Sequence, residues 1–139
     1  MASVTSAASG AHRITVADAP VRVRFEVDGV TVAESSRPRV LREGSLPPRY
    51  YLPRDDVRTE LLVPTTTSTT CPFKGQASYW SVEIDGRRHD DLVWSYESPI
   101  PEMTDITGML CFFDERVDMY LDGERQVRPE TPWSEPANR

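Results

Sequence analysis

The chain has one lysine among its sixteen basic residues, and this residue, Lys74, falls in the string Cys71-Pro72-Phe73-Lys74-Gly75-Gln76-Ala77-Ser78-Tyr79-Trp80. A compact ammonium beside a thiol and aromatic rings can bind a carboxylate or phosphate as a point charge. If Phe73 and Trp80 desolvate it, it can instead act as a base or a Schiff-base amine. Cys71 can act as a nucleophile if Lys74 folds back to stabilise its thiolate. No histidine is placed to assist, since His12 lies in the loose N-terminal stretch and His89 on an Arg- and Asp-rich hairpin return. The competing readings are structural: a solvent-facing lysine on a Gly-Gln turn, and a cysteine serving as a small buried hydrophobe.

A second group follows in Trp94-Ser95-Tyr96-Glu97. Strand alternation puts Trp94 and Tyr96 on one face and Val93, Ser95 and Glu97 on the other. With Trp94 and Tyr96 inward, the Tyr96 hydroxyl can donate to a ligand. With the other face inward, or with a bulge at Ser98-Pro99, Glu97 becomes a general base or a partner for the lysine. Core packing is the alternative role for Trp80, Trp94 and Tyr96. Arg49, Arg54 and Arg58 surround Tyr50-Tyr51, and a guanidinium can grip a carboxylate or phosphate in two-pronged fashion. Most of these arginines are expected to be surface charges paired with Asp55, Asp56 and Glu60; Arg54, between Pro53 and a helix start, is the best placed to meet a ligand. The candidate catalytic residues are therefore Lys74, Glu97, Cys71 and Tyr96, and the candidate ligand-binding residues are Tyr51, Arg54, Phe73 and Trp94.

The elements that must position these groups read as strands. Val21, Val23, Phe25 and Val27 alternate with charged residues, the pattern of a strand with one buried face. Asp28-Gly29, Asp85-Gly86 and Asp122-Gly123 each mark a hairpin between apolar runs. The Thr65–Thr70 stretch has high β propensity but little hydrophobicity, so it is an edge strand or a loop. Twelve prolines punctuate the chain, and only Pro53–Leu62 and Pro101–Gly108 offer helix starts. The expected fold is mainly β: a small single-domain open barrel or sandwich of short antiparallel strands with one or two short helices. The expected boundaries are a flexible tail over 1–19, one domain over 20–127 and a second tail over 128–139.

At 139 residues and 38% hydrophobic content, the chain can bury a core without metal or disulfide staples. A net charge of −6 argues against nucleic-acid or anionic-membrane surfaces. There is no apolar run long enough to span a membrane, and Met1–Ala19 lacks the basic leader and apolar core of a signal peptide, so a cytoplasmic protein is expected. Cys71 and Cys111 are expected as free thiols. No metal-ligand spacing is present and no cofactor is expected. The expected partner is a small molecule, and a homodimer is compatible with the sequence.

Four strings stand in a particular order: Tyr50-Tyr51-Leu52-Pro53-Arg54-Asp55-Asp56-Val57, Cys71-Pro72-Phe73-Lys74-Gly75 with Tyr79-Trp80, Val93-Trp94-Ser95-Tyr96-Glu97-Ser98-Pro99, and Phe112-Phe113-Asp114-Glu115-Arg116-Val117. In this order and spacing the chain resembles, over about residues 21–121, the bacterial domain-of-unknown-function family 427. The resemblance implies a small β-rich fold and a nucleotidyltransferase label without a stated mechanism. Common nucleotidyltransferases carry a Gly-Ser pair and then two carboxylates at alternate strand positions. Here Gly44-Ser45 is followed by adjacent Asp55-Asp56, which would face opposite ways on a strand and read instead as a helix cap. The leading expectation is a pocket protein for a small anionic or aromatic metabolite, with Lys74-centred acid–base chemistry as its enzymatic form. A non-catalytic binding or interaction module and a nucleotide-binding transferase are the alternatives.

Overall fold

The computed structural model describes residues 4–6 and 13–134, with side chains from residue 13 onward. Its strands are β1 (Val4–Ser6), β2 (Ile14–Asp18), β3 (Val23–Val27), β4 (Val30–Ser35), β5 (Arg39–Glu43), β6 (Arg49–Leu52), β7 (Leu62–Cys71), β8 (Gly75–Ile84), β9 (Arg87–Ser95), β10 (Leu110–Phe112), β11 (Asp118–Leu121) and β12 (Glu124–Arg125). They form an eight-stranded sheet in the order β1-β2-β5-β6-β10-β9-β8-β7 and a four-stranded sheet in the order β12-β11-β3-β4. All the ladders are antiparallel, and the sheets do not close into a barrel.

The three Asp-Gly pairs are the hairpin turns the sequence announced. Asp28, Asp85 and Asp122 sit at φ 52°, 50° and 51°, and the following glycines at 76°, 80° and 84°. Positive φ at both central residues defines the type I′ turn, whose twist matches that of the strands it joins. The Thr-rich segment is the edge strand β7, paired among the described residues with β8 alone.

The large sheet is buried on both faces. Val40, Tyr50, Leu52, Val82, Val93, Leu110 and Phe112 pack against Val23, Phe25, Val32 and Met119 of the small sheet. The intervening residues Leu41, Tyr51, Ala77, Tyr79, Trp94 and Cys111 form a second core on the opposite face, joined by Ile14, Val16, Met103 and Ile106. Residues of opposite parity along one strand therefore serve two different cores.

Several expectations are corrected. Residues 14–18 are not a tail: they form β2, register with β5, and bury Ile14 and Val16 almost completely, because the second core needs an apolar cover on that side. Residues 128–134 are also held, through Arg128 on Asp118, Thr131 on Glu115 and Trp133 against the second core. His12, residues 7–12 and residues 135–139 lie outside the described residues. The short helices expected in Pro53–Leu62 and Pro101–Gly108 are present, as the 3-10 turns Arg54–Asp56, Thr59–Leu61 and Pro101–Ile106. Pro53 precedes the first without a side-chain cap, and Asp56, instead of capping, accepts from Ser35 and Arg37. Among the described residues no helix is long and apolar enough to cross a membrane.

Candidate functional site

Curling of the large sheet creates the site. Lys74, in the turn between β7 and β8, donates from Nζ to Glu43 Oε1 at 2.6 Å, and Glu43 ends β5. In the sheet order, β5 and β8 are four strand spacings apart, which in a flat sheet is ~19 Å at the usual inter-strand distance. The two side chains can meet only because the sheet bends around its second core, and their pair straps that bend. Lys74 is placed by Gly75, whose φ of 122° is closed to residues with a side chain and whose added Cβ would stand 3.2 Å from Pro99 Cα. The Lys74 carbonyl accepts from the Ile100 amide at 3.0 Å, so this turn is docked onto the segment after β9.

The concave face encloses a cavity of about 300 Å³. Its wall is largely aromatic, with Tyr51, Tyr79, Trp94, Tyr96, Phe113 and Trp133, and it carries Glu43, Arg49, Thr69, Cys71 and Lys74 as polar groups. Trp94 meets Tyr51 edge-on with centroids 6.2 Å apart and Phe113 at 4.4 Å, while its Nε1 donates to the Tyr51 hydroxyl at 3.0 Å. Tyr79 stacks with Phe113 at 6.4 Å and shares a hydrogen bond with Thr69. These contacts fix the rings in place, so the cavity is preformed.

Behind the rings lies a buried charge cluster. Arg49 Nη1 donates to Asp114 Oδ1 at 2.6 Å and to Glu115 Oε1 at 2.7 Å, and Nη2 donates to Glu115 Oε2 at 2.7 Å. The guanidinium lies 5.3 Å from the Trp94 ring centre and 5.8 Å from that of Phe113. Burial pushes the Asp114 carboxyl above its ordinary value, and the Glu115 charge adds to this, against the pull of Arg49. Burial works in the same direction on Glu115, but hydrogen bonds from Arg49 and Thr131 outweigh it and hold that carboxyl below its ordinary value. Burial also raises the Tyr51 and Tyr96 phenols and the Cys111 thiol, so each favours its neutral form.

Of the eight residues singled out from sequence, Tyr51, Cys71, Lys74, Trp94 and Tyr96 meet around this cavity. Phe73 packs against the second core without lining the cavity. Arg54 and Glu97 lie elsewhere and satisfy one another at 2.7 Å, with Arg54 stacked 5.2 Å from the Trp80 ring centre. Regular alternation decides between the two readings of the Trp94–Glu97 strand: Trp94 and Tyr96 face the cavity, Val93 joins the core between the sheets, and Glu97 accepts from Ser95 and Arg54. The partner of Lys74 is therefore Glu43, not Glu97. His89 pairs with Asp28 at 2.8 Å and does not line the cavity.

Sequence reasoning missed Glu43, Arg49, Phe113 and Trp133. Arg49 belongs to a group of arginines expected to be mostly surface charges, yet its side chain is only 11% exposed. The available signal was the Asp114-Glu115 pair immediately after Phe112-Phe113, two carboxylates in an apolar string that demand a buried cation. A broader open groove of about 930 Å³ passes Arg37, Arg39 and Arg54, but these guanidiniums are already paired with Asp56, Asp18 and Glu97. The nucleotidyltransferase arrangement is not assembled either. Gly44-Ser45 follows β5 at one end of the β5–β6 hairpin, and Asp55-Asp56 follows β6 at the other. Among the described residues no group of three or more His, Cys, Asp or Glu side chains is arranged to hold a metal.

No curated protein matches the chain in sequence. With residues 15–123 matched by the family's sequence profile, the chain belongs to the domain of unknown function 427 (DUF427) family.

Proposed function

We propose that this protein binds a small aromatic metabolite in the cavity on the concave face of the large sheet. The observation that carries the reading is the preformed aromatic wall of Tyr51, Tyr79, Trp94, Tyr96 and Phe113, interrupted by a few fixed polar groups. A volume of about 300 Å³ suits a ligand on the order of ten heavy atoms, taking ~30 Å³ as the share of one water-sized group. Such a composition, mostly apolar with sparse polar anchors, is that of small-molecule sites in general.

Binding is favoured over Lys74-centred catalysis by the state of the lysine. A general base or Schiff-base amine must turn its nitrogen to the substrate, and here Nζ is engaged with the Glu43 carboxylate at 2.6 Å. Cys71 and Tyr96 stand at the same cavity, so in an enzymatic version they would contact the substrate, whereas Glu97 and Arg54 would not.

The test is a screen of indoles, pyrimidines, purines and benzamides by thermal shift and by tryptophan fluorescence, on the parent protein and on Trp94→Phe. The expected result is a raised melting temperature with a quench that is lost in Trp94→Phe. Absence of any hit at millimolar concentration would refute the reading.

A further inference from the structure

The polar groups of the cavity are unequally satisfied, and the inequality names a ligand chemistry. This inference rests on the cavity being a binding site. Arg49 spends three of its five N–H groups on Asp114 and Glu115. The bonds run from both Nη1 hydrogens and from one on Nη2. Nε–H and the second Nη2–H, which share one edge of the guanidinium, have no partner among the described residues, and Arg49 is part of the cavity wall. Such an edge offers two parallel donors at fixed spacing. The Tyr96 hydroxyl likewise has no hydrogen-bond partner among the described residues, and Tyr96 also lines the cavity. Tyr51 receives the Trp94 N–H, which leaves its own O–H to donate.

The unsatisfied groups are thus chiefly donors, and they call for acceptors. The charges say which kind. Asp114 and Glu115 outnumber Arg49, and Glu43 offsets Lys74, so with all five ionised the cluster holds one negative charge in excess. A carboxylate or phosphate placed on the open edge of Arg49 would be a third anion around one guanidinium in a poorly solvated site. A carbonyl oxygen satisfies the same edge without adding charge. A cation would meet the excess charge but would leave the donors unanswered.

We infer that the cavity selects an uncharged flat ring bearing carbonyl acceptors, of the lactam, imide or aryl-amide class, with a carbonyl oxygen on the Nε/Nη2 edge of Arg49 and the Tyr96 hydroxyl as a second donor. Anionic aromatics of equal size are selected against.

Matched probes test this: benzamide, 2-pyridone, benzoate, benzylamine and toluene, titrated at neutral pH with amide chemical shifts as the readout. Benzamide and 2-pyridone are expected to bind at least tenfold tighter than benzoate and toluene. Arg49→Lys keeps the charge but removes the two-donor edge, and is expected to abolish the preference for benzamide over toluene. Because Arg49 also holds a buried cluster, Tyr96→Phe provides a milder variant, expected to weaken 2-pyridone several-fold and leave toluene unchanged. Tighter binding of benzoate or benzylamine than of benzamide would overturn the inference while leaving an aromatic site intact. Equal affinities for all five would do the same. Failure of every probe to perturb cavity residues would remove the underlying binding reading as well.

Discussion

The Arg49 cluster makes a quantitative prediction, because its two carboxylates are held differently. Glu115 takes both arms of the guanidinium and a Thr131 hydroxyl, with its side chain fully buried. In Glu115→Gln, whichever way the amide is turned, its NH₂ faces an N–H of Arg49. One charge-assisted bond worth about 1.5–3 kcal/mol is lost, and a buried donor left facing a donor costs about 1–3 kcal/mol more. The expected loss is about 3 kcal/mol or more, which for a domain of this size lowers the melting temperature by roughly 10 °C. Asp114→Asn should behave differently. Its amide oxygen can still accept from Nη1, and the change removes the like charge beside Glu115. The expected change at neutral pH is within about 1 kcal/mol, as relief of repulsion offsets a weaker hydrogen bond. Urea titrations followed by tryptophan fluorescence, with unchanged slopes, measure both.

The pH dependence carries opposite signs for the two residues. The Glu115 carboxyl is lowered in the folded state, so its contribution is present above the ordinary glutamate value of 4.5 and is lost as pH falls through its folded value. The Asp114 carboxyl is raised, so the folded state holds a proton that the unfolded state releases. Its contribution is full below the ordinary aspartate value of 3.8 and declines as pH climbs through the raised value. The parent protein should therefore gain on Asp114→Asn as the solution is acidified across that window. An Asp114→Asn variant as damaged at neutral pH as Glu115→Gln would refute the claim that Arg49 is over-compensated.

Three further outcomes are expected. Lys74→Met removes the ammonium that donates to Glu43, whose side chain is only 16% exposed, and should cost about 2–4 kcal/mol; adding Glu43→Gln should recover at least about 1 kcal/mol, whereas strict additivity in the double-mutant cycle would deny the strap. Gly75→Ala forces a side chain into a closed backbone region and against Pro99, so denaturant titration should show a loss of about 1–3 kcal/mol, and a neutral result would contradict the turn geometry. Native-state alkylation should label Cys71, which is partly exposed at the cavity, and spare Cys111, which is fully buried with a raised thiol; mass spectrometry finding equal rates would contradict the core assignment.

Local chemistry made much of this protein legible in advance. Asp-Gly pairs fix the three hairpins because two successive positive φ angles are tolerated there and little else fits between short strands. Alternation put Trp94 and Tyr96 on a common face, and the Pro72–Gly75 bend placed the single lysine in a shaped turn. What could not be read locally was curvature and partnership. A sheet buried on both sides shows runs such as Leu110-Cys111-Phe112-Phe113 instead of a period, so the second core left no alternating trace there; the strand at 14–18 does alternate, with Ile14 and Val16 buried, but over only five residues. The cavity exists because β5 and β8, distant in both sequence and sheet order, are bent toward one another. That bend brings Glu43 to Lys74, whereas Arg49 meets its two carboxylates across the neighbouring strands β6 and β10. Sequence determines which groups can carry charge or donate a hydrogen bond. Tertiary structure decides which of them are already satisfied, because satisfaction depends on neighbours that only the folded sheet supplies.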